Sequence, residues 1–162
     1  MKTGGGKSLM YMLPAACSLV SLTVVVVPLH SLQADQARRC QQAGLRVAQW
    51  GDSKAVRMAQ VVLVTPESAV TKTFRRFLQQ KASAGLLDRV VIDECHSVLD
   101  SGHGWRPKLL QLSQLVEQRC QLVYLTATLP PTDEKAFFHC SGLDPANVLL
   151  FRDPTTRLNI AY

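Results

Sequence analysis

The chain has 162 residues, 47 % apolar and 19 % charged, which supports one domain with a sizeable core and excludes wholesale disorder, a coiled coil and a collagen-like rod. Eighteen lysines and arginines against twelve acids leave a net charge of +6, a balance that permits a polyanionic partner without requiring one. Seven of those cations, against two aspartates, fall in residues 1–60 at Lys2, Lys7, Arg38, Arg39, Arg46, Lys54 and Arg57, and a solvated basic face accounts for them as readily as a ligand does.

The chain opens on Met1-Lys2-Thr3-Gly4-Gly5-Gly6-Lys7-Ser8, ahead of a helix expected over 8–13. Three glycines let successive backbone N–H groups converge on phosphate oxygens, and a helix starting there turns its positive end toward the same anion. In a phosphate loop, Lys7 reaches the β- and γ-phosphates and the Ser8 hydroxyl ligates Mg²⁺. A flexible loop beside a lysine has the same composition, and Met1 stands where the usual pattern has glycine. The next segment, Leu13-Pro14-Ala15-Ala16-Cys17, faintly resembles a lipoprotein cleavage site. Pro14 interrupts the apolar stretch, and the run from Ala15 to Val27 is shorter than the roughly 20 residues a membrane span needs.

Further along, strands are expected at 22–27, 46–49, 61–65, 89–93, 122–126 and 147–151, and helices at 29–43, 67–81, 108–118 and 133–140. The first, third and fourth strand-like runs are continuously apolar, which suits central parallel strands covered on both faces. Pro28, Pro66 and Pro130 punctuate the exits from strands. This alternation predicts an α/β fold with a mostly parallel sheet and helices on both faces, whose ligands sit beyond the carboxyl ends of the strands.

At one such end Arg89-Val90-Val91-Ile92 runs into Asp93-Glu94-Cys95-His96. Two adjacent acids ending an apolar strand are costly unless something cationic sits there. Mg²⁺ with a nucleotide meets that need: Asp93 holds the metal and Glu94 polarises the attacking water as general base. A helix N-cap after a strand would also explain the pair, but Lys7 and Asp93 occur in the order that a nucleoside-triphosphatase sheet requires. The five cysteines, Cys17, Cys40, Cys95, Cys120 and Cys140, are odd in number and widely spaced, which points to a reduced, intracellular chain.

The full set of motifs resembles the first motor lobe of a superfamily-two helicase of the DEAH/DECH-box type, and most specifically the RecQ-like DNA helicases. Thr3-Gly4-Gly5-Gly6-Lys7-Ser8-Leu9 resembles motif I, and Val26-Val27-Pro28-Leu29-His30-Ser31-Leu32 with Asp35-Gln36 resembles motif Ia. Val64-Thr65-Pro66-Glu67 resembles motif Ib, Asp93 to His96 motif II, and Thr126-Ala127-Thr128 motif III. Ser101-Gly102-His103-Gly104-Trp105-Arg106-Pro107 resembles an aromatic-rich loop that links DNA binding to ATP hydrolysis, with Ser101 in place of the usual leading Trp. Arg157-Leu158-Asn159-Ile160-Ala161-Tyr162 resembles the approach to a second lobe.

The resemblance implies a RecA-like P-loop nucleotide-binding domain over residues 1–162, truncated at both ends, with the second lobe and its arginine finger absent. It implies an ATP-dependent 3′–5′ DNA helicase acting in DNA repair and recombination in the nucleus, with ATP and Mg²⁺ as cofactors and single-stranded or partly unwound DNA as partner. Thr3, Gly4, Gly5, Gly6, Lys7 and Ser8 would cradle the nucleotide, Ser8 and Asp93 would hold Mg²⁺, and Lys7, Asp93, Glu94 and His96 would serve catalysis. Thr126 and Thr128 would couple phosphate state to the DNA side, or form a plain hydroxyl turn, and His96 would bridge to motif III. Ser31, Thr65, His103, Trp105 and Arg106 would meet the nucleic acid, Trp105 by stacking on a base unless it packs in the core. The alternative from another class is a truncated, non-catalytic remnant that binds nucleotide or nucleic acid passively. Arg38 and Arg39 are open to a DNA-facing or a solvated role, and Trp50, His30, His139 and the cysteines carry structural roles, Cys95 as a packing residue.

Overall fold

The computed structural model of the chain describes residues 6–18, 20–99, 110–111 and 120–152. Within them five strands, β1 (Leu22–Val26), β2 (Val47–Gln49), β3 (Val61–Val64), β4 (Leu87–Ile92) and β5 (Gln121–Tyr124), form one parallel sheet in the order β2-β3-β1-β4-β5. The three continuously apolar strands therefore occupy the centre, where helices shield both faces. From Thr23 on, each β1 residue fixes two neighbours at once: Val24 lies opposite Val62 and Val90, and Val26 opposite Val64 and Ile92.

Alternation along the strands divides the core in two. Leu22, Val24, Val26, Val62, Val64, Val90 and Ile92 share one face. There they meet Val56 of α3 (Ser53–Met58), Ala69 of α4 (Pro66–Ala69), Phe74 and Leu78 of α5 (Lys72–Ser83), and Phe137 of α6 (Glu134–Ser141). Val25, Val27, Val61, Leu63 and Val91 turn to the other face, against Tyr11, Met12 and Ala15 of α1 (Leu9–Cys17) and Cys40 of α2 (His30–Gln42).

The expected elements are altered in four places. First, α1 continues beyond residue 13 through Pro14 to Cys17, because burying Tyr11 and Ala15, each 1 % exposed, outweighs the one helical bond the proline cannot make. Second, the helix expected over 67–81 breaks into α4 and α5. Thr71 sits at the break, where its Oγ1 accepts from the Phe74 N–H at 3.3 Å and its hydroxyl donates to the Ser68 carbonyl at 2.7 Å. Third, α3 is an element that the apolar spacing does not predict; Asp52 nucleates it by accepting from the backbone N–H groups of Lys54 and Ala55 at 3.2 and 3.1 Å.

Finally, residues 147–151 form no strand. Asp144 caps a 3₁₀ turn over Pro145–Asn147, and Leu149 and Phe151 stand 86 % and 85 % exposed, so that apolar run has no sheet neighbour to pair with. Of the helix expected over 108–118, all but residues 110–111 lie outside the described residues.

Parallel register brings the carboxyl ends of the strands level. The ladder runs on past them: Val27 N–H donates to Val64 O at 2.9 Å, Asp93 N–H to Val26 O at 3.0 Å, Leu125 N–H to Ile92 O at 2.9 Å, and Trp50 N–H to Leu63 O at 2.8 Å. Thr65, Asp93, Thr126 and Trp50 consequently stand along one edge.

Candidate nucleotide and nucleic-acid site

The turn Gly6-Lys7-Ser8 leads into α1 at this edge. Gly6 has φ +78° and its carbonyl accepts from the Leu9 N–H at 2.8 Å. The left-handed conformation excludes most side chains, and a Cβ on Gly6 would come within 3.3 Å of Leu9 Cδ1. The Ser8 carbonyl accepts from Tyr11 and Met12 N–H groups at 3.2 and 2.9 Å, so the helix begins there and leaves the Ser8 hydroxyl outside the backbone ladder. Thr3, Gly4 and Gly5 lie outside the described residues.

From this turn Lys7 Nζ donates to Glu94 Oε1 at 2.7 Å. Glu94 has φ +48°, the one non-glycine positive φ among the described residues. Such a conformation costs an L-residue about 1–2 kcal/mol and clusters at functional sites. It swings the carboxylate back over the strand end toward Lys7.

Asp93 is 8 % exposed. One carboxylate oxygen, Oδ1, accepts from Glu94 N–H at 3.0 Å, and the other, Oδ2, from the Gln36 side-chain amide of α2 at 2.5 Å. Burial lifts its pKa above the usual carboxylate range and the Glu94 charge lifts it further, against opposing contributions from the Glu94 N–H, Lys7 and Gln36.

His96 Nδ1 lies 2.9 Å from Thr126 Oγ1 and 3.4 Å from Glu94 Oε2. Thr126 Oγ1 also accepts from the Thr128 N–H at 3.1 Å. The motif III hydroxyl turn and the link to motif II thus coexist on one oxygen. Cys95 is buried, its N–H donates to Leu125 O at 3.0 Å, and burial pushes its thiol up to about 12. It is a packing residue with no thiolate character near neutrality.

These residues fit a magnesium nucleotide. Asp93 is a buried carboxylate beside a second acid, an arrangement that a cation relieves. Next to it, Gln36 Oε1 is buried with no hydrogen-bond partner, and the buried Tyr11 hydroxyl also has none, which leaves polar groups available to water on a cation. No cluster of three or more His, Cys, Asp or Glu that could hold a metal occurs among the described residues. Mg²⁺ needs only one or two carboxylates, completing its octahedron with water and phosphate oxygens, so Asp93 with the Ser8 hydroxyl could serve it.

The other expected contacts divide. Ser31 is exposed in the first turn of α2. Thr65 is buried, and its Oγ1 is engaged in capping α4 by accepting from the Ser68 N–H at 3.3 Å. Arg38 and Arg39 both pair with Asp35, at 2.6 and 2.7 Å, on the exposed side of α2, the arrangement of a solvated ion-pair cluster. His103, Trp105, Arg106 and residues 157–162 lie outside the described residues. Gln36 belongs to the motif Ia match but was not among the expected site residues; nothing in its place midway along α2 points to the Asp93 carboxylate it meets.

Comparison with known proteins places this edge in context. A family profile described as DEAD/DEAH box helicase matches residues 1–137. The chain is 33 % identical over its whole length to the rat (Rattus norvegicus) ATP-dependent DNA helicase Q5, of which it covers 18 %. It is 37 % identical over 79 % of its length to rat ATP-dependent DNA helicase Q1, covering 23 % of that protein. The chain therefore spans about a fifth of the length of these relatives. Among solved structures, S. cerevisiae Dbp5 L327V bound to RNA and ADP BeF3 superimposes with a TM-score of 0.65 at 18 % identity, over 94 % of this chain and 40 % of that one. The DUF1998 helicase MrfA bound to DNA and AMPPNP gives 0.64 at 19 % identity, over 88 % of this chain and 23 % of that one.

Proposed function

The chain belongs to the DEAD/DEAH box helicase family, and from that premise we propose that it is the ATP-binding motor lobe of a RecQ-type, ATP-dependent 3′–5′ DNA helicase that binds Mg-ATP and single-stranded DNA. The observation that carries this reading is the convergence of Lys7, Asp93, Glu94, His96 and Thr126 on one sheet edge. Lys7 and the N–H groups at the start of α1 receive the nucleotide phosphates, with Thr3, Gly4 and Gly5 completing the loop. Asp93 and the Ser8 hydroxyl hold Mg²⁺, which would supply charge neutralisation at the phosphates.

Glu94 is the group placed to take the proton of an attacking water. Its pairing with Lys7 means that incoming phosphates must draw Lys7 away, and this frees the carboxylate for that work. The His96–Thr126 contact joins the acidic pair to the turn holding Thr128, a route by which phosphate state is relayed to the nucleic-acid side.

Phosphoryl transfer in related sites gains about 10³–10⁵ from an arginine finger, which here would come from a second lobe closing on this edge. On this reading, residues 1–162 assayed by themselves are expected to hydrolyse ATP far more slowly than in the presence of a second lobe that supplies that arginine. Among the described residues no helix is long and apolar enough to cross a membrane, and a nuclear setting suits the DNA substrate. Ser31, His103, Trp105 and Arg106 remain the proposed nucleic-acid contacts; Thr65 contributes chiefly by fixing α4.

The nucleic-acid half of this reading is tested by titrating a fluorescent single-stranded oligonucleotide with the purified chain at several salt concentrations. Affinity is expected to fall on a log–log plot with a slope near about −0.7 per phosphate contacted. Salt-independent binding, or no binding at low salt, would overturn it.

A further inference from the structure

A cavity of about 350 Å³ opens beside the carboxyl end of β2, lined by Trp50, Gly51, Ser53, Val56, Arg57, Thr73 and Phe77. It is separate from the phosphate turn and the acidic box, and its residues come from the β2–α3 junction and one face of α5.

Its walls are aromatic. The Trp50 ring meets Phe74 edge-on at 4.7 Å and Phe77 at 5.1 Å with a 47° tilt. Phe74 is fully buried and its contact with Trp50 serves the core, whereas Phe77 and Trp50 are only partly covered and leave open ring surface toward the cavity. Gly51, which also lines the cavity, has φ +122° and open space where a Cβ would stand. Ser53 and Thr73 add hydroxyls at the rim, able to donate or accept at the edge of a planar guest.

The frame around these walls is cationic. Lys54 and Arg57 on α3, and Lys72, Arg75 and Arg76 on α5, are exposed and form no ion pair among the described residues. Lys81 Nζ lies 5.8 Å from the Phe77 ring centroid. Neither helix contains an acid, and the adjoining Asp52 carboxylate is engaged in capping α3. An open aromatic slot with polar edges in an acid-free basic frame matches a flat heterocycle joined to a polyanion. Aromatic stacking with tracking of the backbone charge is how single strands are held without sequence preference.

We propose that this cavity takes one nucleobase of a bound single strand against the cavity-facing surfaces of Trp50 and Phe77, whose rings pack on each other, with the flanking phosphates on Arg57, Lys54 and Arg76. The proposal rests on the nucleic-acid role proposed for the chain and adds to it a base-binding site on the β2–α5 side.

The test compares a fluorescent dodecamer of thymidylate with a dodecamer of the same charge whose nucleotides lack bases, using the wild-type chain and a Thr73→Trp variant that fills the slot from an exposed helical position. The wild type is expected to bind the base-free strand about tenfold more weakly or worse. Thr73→Trp is expected to lose a measurable part of that preference for the strand with bases, at an unchanged thermal melting point. Equal wild-type affinity for the two strands overturns the pocket and leaves the nucleic-acid reading standing. A Thr73→Trp variant that keeps the full base dependence places the stacking elsewhere and also overturns it. Displacement of the thymidylate strand by polyglutamate of matched charge as effectively as by unlabelled strand assigns the surface to acidic polypeptides instead. No binding of the thymidylate strand by the wild type overturns both readings.

Discussion

Asp93 is a buried acid beside a second acid, a local cost that the proposed Mg²⁺ would offset. Burial and the neighbouring Glu94 raise its pKa, so its carboxyl binds a proton more tightly in the folded chain than in the unfolded one. The corresponding stability is full below the ordinary carboxylate range and is lost as pH rises through the folded value. Where Asp93 is ionised, its charge is buried beside that of Glu94 and is offset in part by Lys7, Gln36 and the Glu94 N–H. Asp93→Asn, which can keep one of the two hydrogen bonds, is expected to raise stability by about 1 kcal/mol, or roughly 2–4 °C in Tm. Calorimetry should find that gain near pH 7 and see it shrink as pH falls into the ordinary carboxylate range and the wild-type carboxyl takes up its proton. The acidic pair was legible in the sequence because adjacent acids at the end of an apolar strand demand a cation. The left-handed Glu94 and the Gln36 amide on Asp93 were not, because both depend on where α2 and the strand end meet in space.

At the scale of elements, the sheet was largely readable and the helix limits were not. Uninterrupted apolar runs at 61–64 and 22–26 marked central strands because burial on both faces leaves no room for alternation. Helix ends depend on caps: Thr71 divides one expected helix in two, and Asp52 starts one that apolar spacing alone did not suggest. The strand expected at 147–151 failed because a β-branched or apolar run pairs only where a neighbouring edge is offered. Gln60 shows how elements are joined beneath the site. Its Nε2 donates to the Ala15 and Ser18 carbonyls at 2.9 and 3.2 Å, and its Oε1 accepts from the Arg46 N–H at 3.2 Å. The buried amide thereby holds the C-terminal end of the proline-containing α1 to the segment before β2. Gln60→Leu strands those groups without partners and is expected to cost about 1–3 kcal/mol, read as a lower urea midpoint with little change in slope.

At the scale of the whole molecule, the layout unites a nucleotide edge with a basic flank. The surplus of cations noted in the sequence is divided by the fold: Lys7 pairs with Glu94, Arg38 and Arg39 pair with Asp35, and Lys54 and Arg57 face outward beside an aromatic slot. Charge counting revealed the surplus, yet only tertiary placement separates Lys7, proposed to meet phosphate, from the solvated pairs and from the basic surface beside the slot. The chain's central role as a nucleotide-binding lobe turns on Lys7. The most direct test is the thermal shift of wild type and Lys7→Ala on adding Mg-ATP. A ligand at about 100 times its Kd stabilises a protein by about 2.7 kcal/mol, so the wild type should melt several degrees higher and Lys7→Ala should not respond. Equal shifts in the two proteins would contradict the assignment of the phosphate loop and the account built on it.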